Sequence, residues 1–395
     1  MGSNGAVADT DYRENKTTET HDQYLQKGVR HLCERGLTRV PTKYILPKEE
    51  RPNSAMGGET TILKLPVIDF AQLQDSSSRS QALNSLAKAC EEFGIFQLIN
   101  HGIKDEVIST MTDVSKRFFD LPFEERSKYM SKDIASPARY GTSFNQNNDA
   151  VFCWRDFLKL SCNPLSDTVP FWPSSPVDLR LTTYSVNMHR ETVVNYSKST
   201  NFLYLMLMEA VLESLGLMET TKSSSTEKID TRNSSLLEEF EDGSQLIVVN
   251  CYPACPEPDL TLGMPPHSDY GILTLLLQDQ VEGLQIQHQG KWVTVEPLRN
   301  SFIVNVGDHL EIFSNGRYKS VLHRVVVNSS KSRISVASLH SLPFDAVVRP
   351  SPKLVDEANP TRYRDTDFAN FLEYIASCDH QTKSKSFLES RKLTD

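Results

Sequence analysis

No Cys-x-x-Cys pair occurs anywhere in the 395 residues, and the seven cysteines, at 33, 90, 153, 162, 251, 255 and 378, are scattered and odd in number. That excludes a self-contained disulfide framework and gives no zinc-ribbon spacing. Positive charge is in deficit: 42 Lys and Arg stand against 51 Asp and Glu, a net −9. Nucleic-acid binding, which needs a basic footprint, is not expected. No run approaches the roughly 20 apolar residues that span a bilayer. The polar first residues lack the charged-then-apolar order of a signal peptide, and Met1-Gly-Ser-Asn-Gly-Ala6 lacks the hydroxyl residue that favours myristoylation. No internal repeat is evident. These absences leave a reduced cytoplasmic protein, with entry to the nucleus left open. It is expected to be a monomer that acts on a small molecule, with no membrane or nucleic-acid partner.

What is present falls into five stretches. Residues 1–60 read as a polar tail and a leading helix, with Tyr24, Leu25, Val29, Leu32 and Cys33 at helical spacing. Residues 61–217 read as a helical region. It opens on a short strand at Leu65–Phe70, followed by an amphipathic helix over 78–93, a buried strand at Ile95–Ile99 and a second helix ended by Pro122. A third helix is expected from Asp178, as N-cap, to about Leu215. Residues 218–243 include the polar run Thr220–Thr226 and read as an insertion loop. In residues 244–345 the period becomes that of strands. Short runs at 246–249, 272–277, 284–288, 292–295, 302–306, 321–327 and 333–338 are separated by turn signals, among them Gln289-Gly290. Strands at this spacing predict a sandwich or barrel. Residues 346–395 hold a C-terminal helix over 365–376 and a tail expected to fray.

Within the strand-rich stretch lies His267-Ser-Asp269, then His323, then Arg333-Ile-Ser335. Two histidines and a carboxylate make the facial triad that holds non-haem Fe(II) and leaves positions open for oxygen chemistry. A one-residue gap puts His267 and Asp269 on the same side of an extended segment. Arg333 and Ser335 share a face in the same way, and a guanidinium beside a hydroxyl suits a carboxylate. A lone His-x-Asp is most often a surface turn. The order, the long gap and the strand context make this set far more specific.

The chain resembles the plant-type Fe(II)- and 2-oxoglutarate-dependent dioxygenases from about residue 65 to 345. Further marks are Leu65–Phe70, Phe93–Ile103, Phe118–Pro122, Trp154-Arg-Asp156, Asn250–Pro253, Gly283-Leu-Gln285 and Asn305–Asp308. The resemblance implies a mainly β fold with α: a double-stranded β-helix (jelly-roll) core behind an N-terminal helical region. It implies Fe(II) on His267, Asp269 and His323, and 2-oxoglutarate as co-substrate on Arg333, Ser335, Tyr252 and Asn250. O2 is the oxidant, ascorbate is expected to support turnover, and no catalytic side chain is needed beyond the metal ligands. Tyr140, Phe144, Lys159, Leu339 and Ser341 fall where relatives place substrate-pocket walls. Leu339 and Ser341 stand where flavonoid-oxidising relatives usually carry an aromatic and an acidic residue. The expected activity is oxidation, foremost hydroxylation, of a small plant specialised metabolite or hormone, with flavonoid-like substrates ahead of gibberellin-like ones. The alternatives are an iron oxidase of the same fold that does not use 2-oxoglutarate, and a catalytically silent ligand-binding relative. Among other histidines, His101, His288 and His340 read as structural, and His309 as packing or lining the pocket.

Overall fold

The computed structural model describes residues 24–52, 62–143, 146, 149–180, 193–218, 237–377 and 387–393. Within them the strands are β1 (Ile62–Leu63), β2 (Val67–Asp69), β3 (Ile95–Ile99), β4 (Ala138–Thr142), β5 (Asp156–Ser161), β6 (Ser244–Tyr252), β7 (Met264–His267), β8 (Leu273–Gln278), β9 (Leu284–His288), β10 (Lys291–Val295), β11 (Phe302–Val306), β12 (His323–Val325) and β13 (Arg333–Ser341). They form an eight-stranded sheet, ordered β2-β3-β11-β8-β13-β6-β5-β4, and a five-stranded sheet, ordered β1-β10-β9-β12-β7. Most neighbours are not consecutive in the chain, as a jelly roll requires.

Strand alternation gives the large sheet two different faces. On one, Leu275, Leu277, Val304 and Val336 pack with Leu86, Met111 and Leu207 from the helices. Those helices span Arg79–Glu92, Asp105–Phe119 and Val193–Ser214. On the other, Leu276 and Ile303 meet Leu284, Ile286 and Val293 of the small sheet. This second, inner face is apolar near β3 and β11. It turns polar toward β13, β6, β5 and β4.

Gln289 and Gly290 turn the β9–β10 hairpin at φ 50° and 75°. Both are positive, as a two-residue turn of the primed type demands. The expected strand over 321–327 is only His323–Val325. Its partner carries Pro265 and Pro266, which donate no ladder bonds, and the register shifts between His323↔His267 and Val325↔Met264. Strands β4 and β5 were not foreseen as strands. All of β4 and most of β5 are buried on both faces, so the alternation that marks a strand is missing.

Asp178 is no helix cap. It sits in a 3-10 turn, Val177–Leu179, and its carboxylate takes Arg117 Nη2 at 2.5 Å. The helix that continues the region is described from Val193; most of the polar insertion and residues 1–23 lie outside the described residues. The frayed tail is corrected in part. Residues Phe387–Arg391 form a helical turn with Phe387 and Leu388 buried, because Phe387 packs on Phe371 and Tyr374 at 5.4 and 5.5 Å.

Trp154-Arg-Asp156 ties the leading segment to the sheet. Trp154 Nε1 donates to Pro253 O at 3.0 Å. The Asp156 carboxylate accepts from Val29 N (2.8 Å), Arg30 N (3.0 Å) and the Tyr140 hydroxyl (2.9 Å). It thereby caps the leading helix Val29–Glu34 from far along the chain.

Candidate metal and co-substrate site

β7 and β12 bring the two histidines together as cross-strand partners. Their rings lie 4.1 Å apart by centroid. Asp269 lies just beyond the end of β7, and the ligand atoms of His267, Asp269 and His323 all fall within 4.8 Å of one another.

Each side chain is oriented by a partner behind it. His267 Nδ1 donates to Pro265 O at 2.8 Å and His323 Nδ1 to Val321 O at 3.2 Å. A carbonyl only accepts, so each ring carries a proton on Nδ1, which leaves Nε2 as the atom available to a metal. Asn305 Nδ2 donates to Asp269 Oδ2 at 2.9 Å. Oδ1 then turns toward His323 Nε2, 3.7 Å away. Burial drives the His267 pKa down to about 3, with the neighbouring His323 adding to it. Burial alone would raise Asp269, but His323, His267, Asn305 and Thr274 together hold it below its usual value. Two imidazoles and one carboxylate, converging and largely buried, are the donor set that suits Fe(II).

The run Asn305–Asp308 is the back wall of this site, a role the sequence reading did not assign. Asn305 holds Asp269. Gly307 lies so close to the loop that a Cβ there would sit 2.0 Å from Gly271 O. Asp308 N donates to Asp269 O at 2.7 Å, and Ser268 Oγ donates to Asp308 Oδ2 at 3.0 Å. Burial pushes the Asp308 carboxyl up to about 7.

On the inner face beside this cluster, β13 and β6 pair Arg333 with Tyr252 and Ser335 with Asn250. Arg333 Nη2 donates to Gln278 Oε1 at 2.9 Å and Nε to Val281 O at 3.2 Å, and the guanidinium lies 5.3 Å from the Tyr252 ring centre. Asn250 Nδ2 reaches Ser335 Oγ at 3.5 Å. Arg333 Nη1, Asn250 Oδ1 and Gln278 Nε2 are buried with no hydrogen-bond partner among the described residues. Gly283 leaves room for the arginine: a Cβ there would meet Arg333 Cδ at 3.0 Å. The recess offers donors to a carboxylate, and Gln278 is a member that sequence reasoning missed.

The pocket residues divide. Lys159, Leu339 and Ser341 take the inner parity of Arg333 and Ser335. Ser341 Oγ bonds His309 Nδ1 at 2.9 Å. Tyr140 does not belong to the pocket. It pairs with Leu158 on the helix-covered face, its hydroxyl on Asp156 and its ring among Phe118 and Phe119. One residue of parity separates it from the cavity. Phe144 lies outside the described residues. His101 is structural: its Nδ1 accepts from Ile103 N at 3.2 Å and its ring meets Phe302.

Comparison with known proteins gives a consistent picture. Residues 243–341 match the 2OG-Fe(II) oxygenase superfamily, and residues 65–175 the non-haem dioxygenase in morphine synthesis N-terminal family. The chain is 38% identical to Protein DMR6-LIKE OXYGENASE 2 of Arabidopsis thaliana, over 87% of this chain and 92% of the relative. It is 36% identical to Flavanone 3-dioxygenase 3 of Oryza sativa subsp. japonica, over 88% and 98%. It is also similar to the crystal structure of JOX2 in complex with 2OG, Fe and JA, with TM-score 0.73 and 28% identity, covering 93% of this chain and 98% of that one.

Proposed function

Since the chain belongs to the 2OG-Fe(II) oxygenase superfamily, as a plant-type Fe(II)- and 2-oxoglutarate-dependent dioxygenase, we propose that His267, Asp269 and His323 hold its iron, that Arg333, Ser335, Tyr252 and Asn250 bind 2-oxoglutarate, and that it hydroxylates a small plant specialised metabolite or hormone. The observation that carries this reading is the meeting of the two polar sets. Three oriented donors converge at one point, beside a recess of buried polar atoms that lack partners. When bound, iron and 2-oxoglutarate supply oxidation of the substrate by O2, with succinate and CO2 as co-products.

The protein's own residues do the positioning. Arg333 faces the distal carboxylate with a fork that lysine lacks. Ser335 and Tyr252 add hydroxyls on the same side, and Asn305 fixes which Asp269 oxygen turns inward. Leu339 offers an apolar wall. Flavonoid-like molecules stand first as substrates, supported by the flavanone 3-dioxygenase among the relatives. A hormone-like acid is the second reading, favoured by the basic wall described below and by the relative solved with JA.

The test is succinate release by the purified Fe(II) protein against flavanones, phenolic acids and gibberellins. Succinate that forms only with 2-oxoglutarate and rises with one class supports the reading. Oxidation of a substrate without any need for 2-oxoglutarate would overturn it.

A further inference from the structure

Among the described residues, the inner face of β5 and β4, together with Arg155 just before β5, carries three cations and no acid. β5 pairs with β6 so that Phe157 lies opposite Asn250 and Lys159 opposite Val248, and β4 sets Arg139 opposite Lys159. Arg155, two residues before Phe157, takes the same parity. The guanidinium carbons of Arg139 and Arg155 lie 5.2 and 4.7 Å from the centre of the Phe157 ring.

Both arginines are nearly dry, at 5% and 4% exposure. Arg139 Nε donates to Ser131 O at 2.8 Å, and Arg155 Nη1 reaches only the thioether of Met264 at 2.7 Å. Arg139 Nη2 and Arg155 Nε have no hydrogen-bond partner among the described residues. Lys159 Nζ donates to Ile134 O. No carboxylate among the described residues forms an ion pair with any of the three. Asp156, the nearest acid in sequence, points to the opposite face and serves Val29, Arg30 and Tyr140. Burial lowers the pKa of Arg139, of Arg155 and of Lys159, the last to about 8. Burial is the largest cause for each, and it outweighs the nearby charge of Asp133 on Arg139 and Lys159 and of Asp149 and Asp156 on Arg155.

Buried charge without a partner is costly, and a fold that keeps it there commonly reserves it for a ligand. The co-substrate does not account for Arg139, although Arg155 lies within electrostatic reach of Tyr252. Arg333 lies on β13, three strands from Arg139, about 14 Å at ordinary strand spacing. We propose that Arg139 and Lys159, with Arg155 as a third positive charge, bind the carboxylate of the substrate. The molecule oxidised is then a small organic acid whose apolar body lies against Phe157 and Leu339. This rests on the oxygenase reading and, within it, favours the hormone-like acid over the flavonoid-like molecules placed first above.

The test uses the full chain loaded with Fe(II) and 2-oxoglutarate. Benzoate, cinnamate and cyclohexanecarboxylate are titrated by calorimetry under nitrogen, each against its methyl ester, with naringenin as a neutral flavanone. Succinate release is then measured in air. At least one acid is expected to bind and raise succinate release where its ester does not. Arg139→Gln and Lys159→Gln should each weaken that acid about thirty-fold or more, while the KM for 2-oxoglutarate stays within about twofold. Esters or naringenin binding as well as the acids, no response to any carboxylate, or unchanged acid affinity in both variants would overturn the proposal. If Arg139→Gln does not fold, Lys159→Gln and the acid–ester comparison on the unaltered protein still decide it. Absence of all succinate would count against the oxygenase reading instead, and calorimetry under nitrogen would still test the wall.

Discussion

The two faces of the large sheet bury polar side chains in opposite ways. On the helix-covered face, Gln245 Nε2 donates to Ser338 Oγ and Thr200 Oγ1, both at 3.0 Å, and Ser197 Oγ donates to Gln245 Oε1 at 2.8 Å. Ser338 Oγ also meets His340 Nε2 at 2.9 Å, and His340 stacks on Tyr204 at 4.3 Å. His340 Nδ1 and the Tyr204 hydroxyl are left over there, but the network otherwise closes on itself. Five residues back along the same strand from Ser338, Arg333 ends in an atom with no partner among the described residues, and Asn250, Gln278, Arg139 and Arg155 do likewise. A buried polar group left unpaired costs about 1–3 kcal/mol. The fold carries some of that cost on both faces, but gathers it into a cluster on the inner one. Closed polarity holds helices to sheet; open polarity marks where molecules enter.

The comparison can be broken most sharply at the metal cluster. His267→Ala, Asp269→Ala or His323→Ala should abolish succinate release and leave a folded protein by circular dichroism. Near-normal turnover in His323→Ala would remove it from the ligand set. Next in size is Arg333→Ala. It should raise the 2-oxoglutarate requirement by a factor matching about 2–5 kcal/mol, with Arg333→Lys only a partial rescue. Unchanged co-substrate dependence would move Arg333 to the structural side. On the covered face the expectation reverses. Gln245→Ala strands Ser197, Thr200 and Ser338, so urea unfolding should show a loss of about 1–3 kcal/mol, with KM values little changed. A change in KM larger than the change in stability would mean the two faces are not separate in function. The smallest effect is Leu339→Phe. An added ring is worth about 0.5–1.5 kcal/mol toward a stacking substrate, so competition between two substrates should shift while thermal stability does not. Identical ratios would take Leu339 out of the pocket.

Much of this was legible from residue order. His267, Asp269 and His323 needed only ligand chemistry and spacing, and Arg333 and Ser335 only the parity of a strand. The limits were physical as well. β4 and β5 are buried on both sides, so their sequences carry no alternation. Without their register, Tyr140 was assigned to the cavity when it faces the helices. Gln278 gives no local signal, and Trp154-Arg-Asp156 marked the family without assigning Arg155 a task, because the meaning of both comes from strands that pair across the sheet. Asn305–Asp308 stood out in the sequence, but its task of gripping the loop around Asp269 arises only where the chain folds back on itself. Phe387 was lost in a polar tail, since one buried ring in a short turn makes no period.

The link between Asp156 and the leading helix also bears on how the chain assembles during synthesis. Val29 waits for a carboxylate 127 positions later. At about 5–20 residues per second, that is a delay of about 6–25 s on the ribosome. β5, which carries Asp156, must in turn pair with β6, whose last residue is Tyr252. The helix Val29–Glu34, made early, is therefore among the last to be secured. Protease sensitivity of residues 24–34 in nascent chains should persist until β6 has emerged, and its loss would time the closing of the sheet.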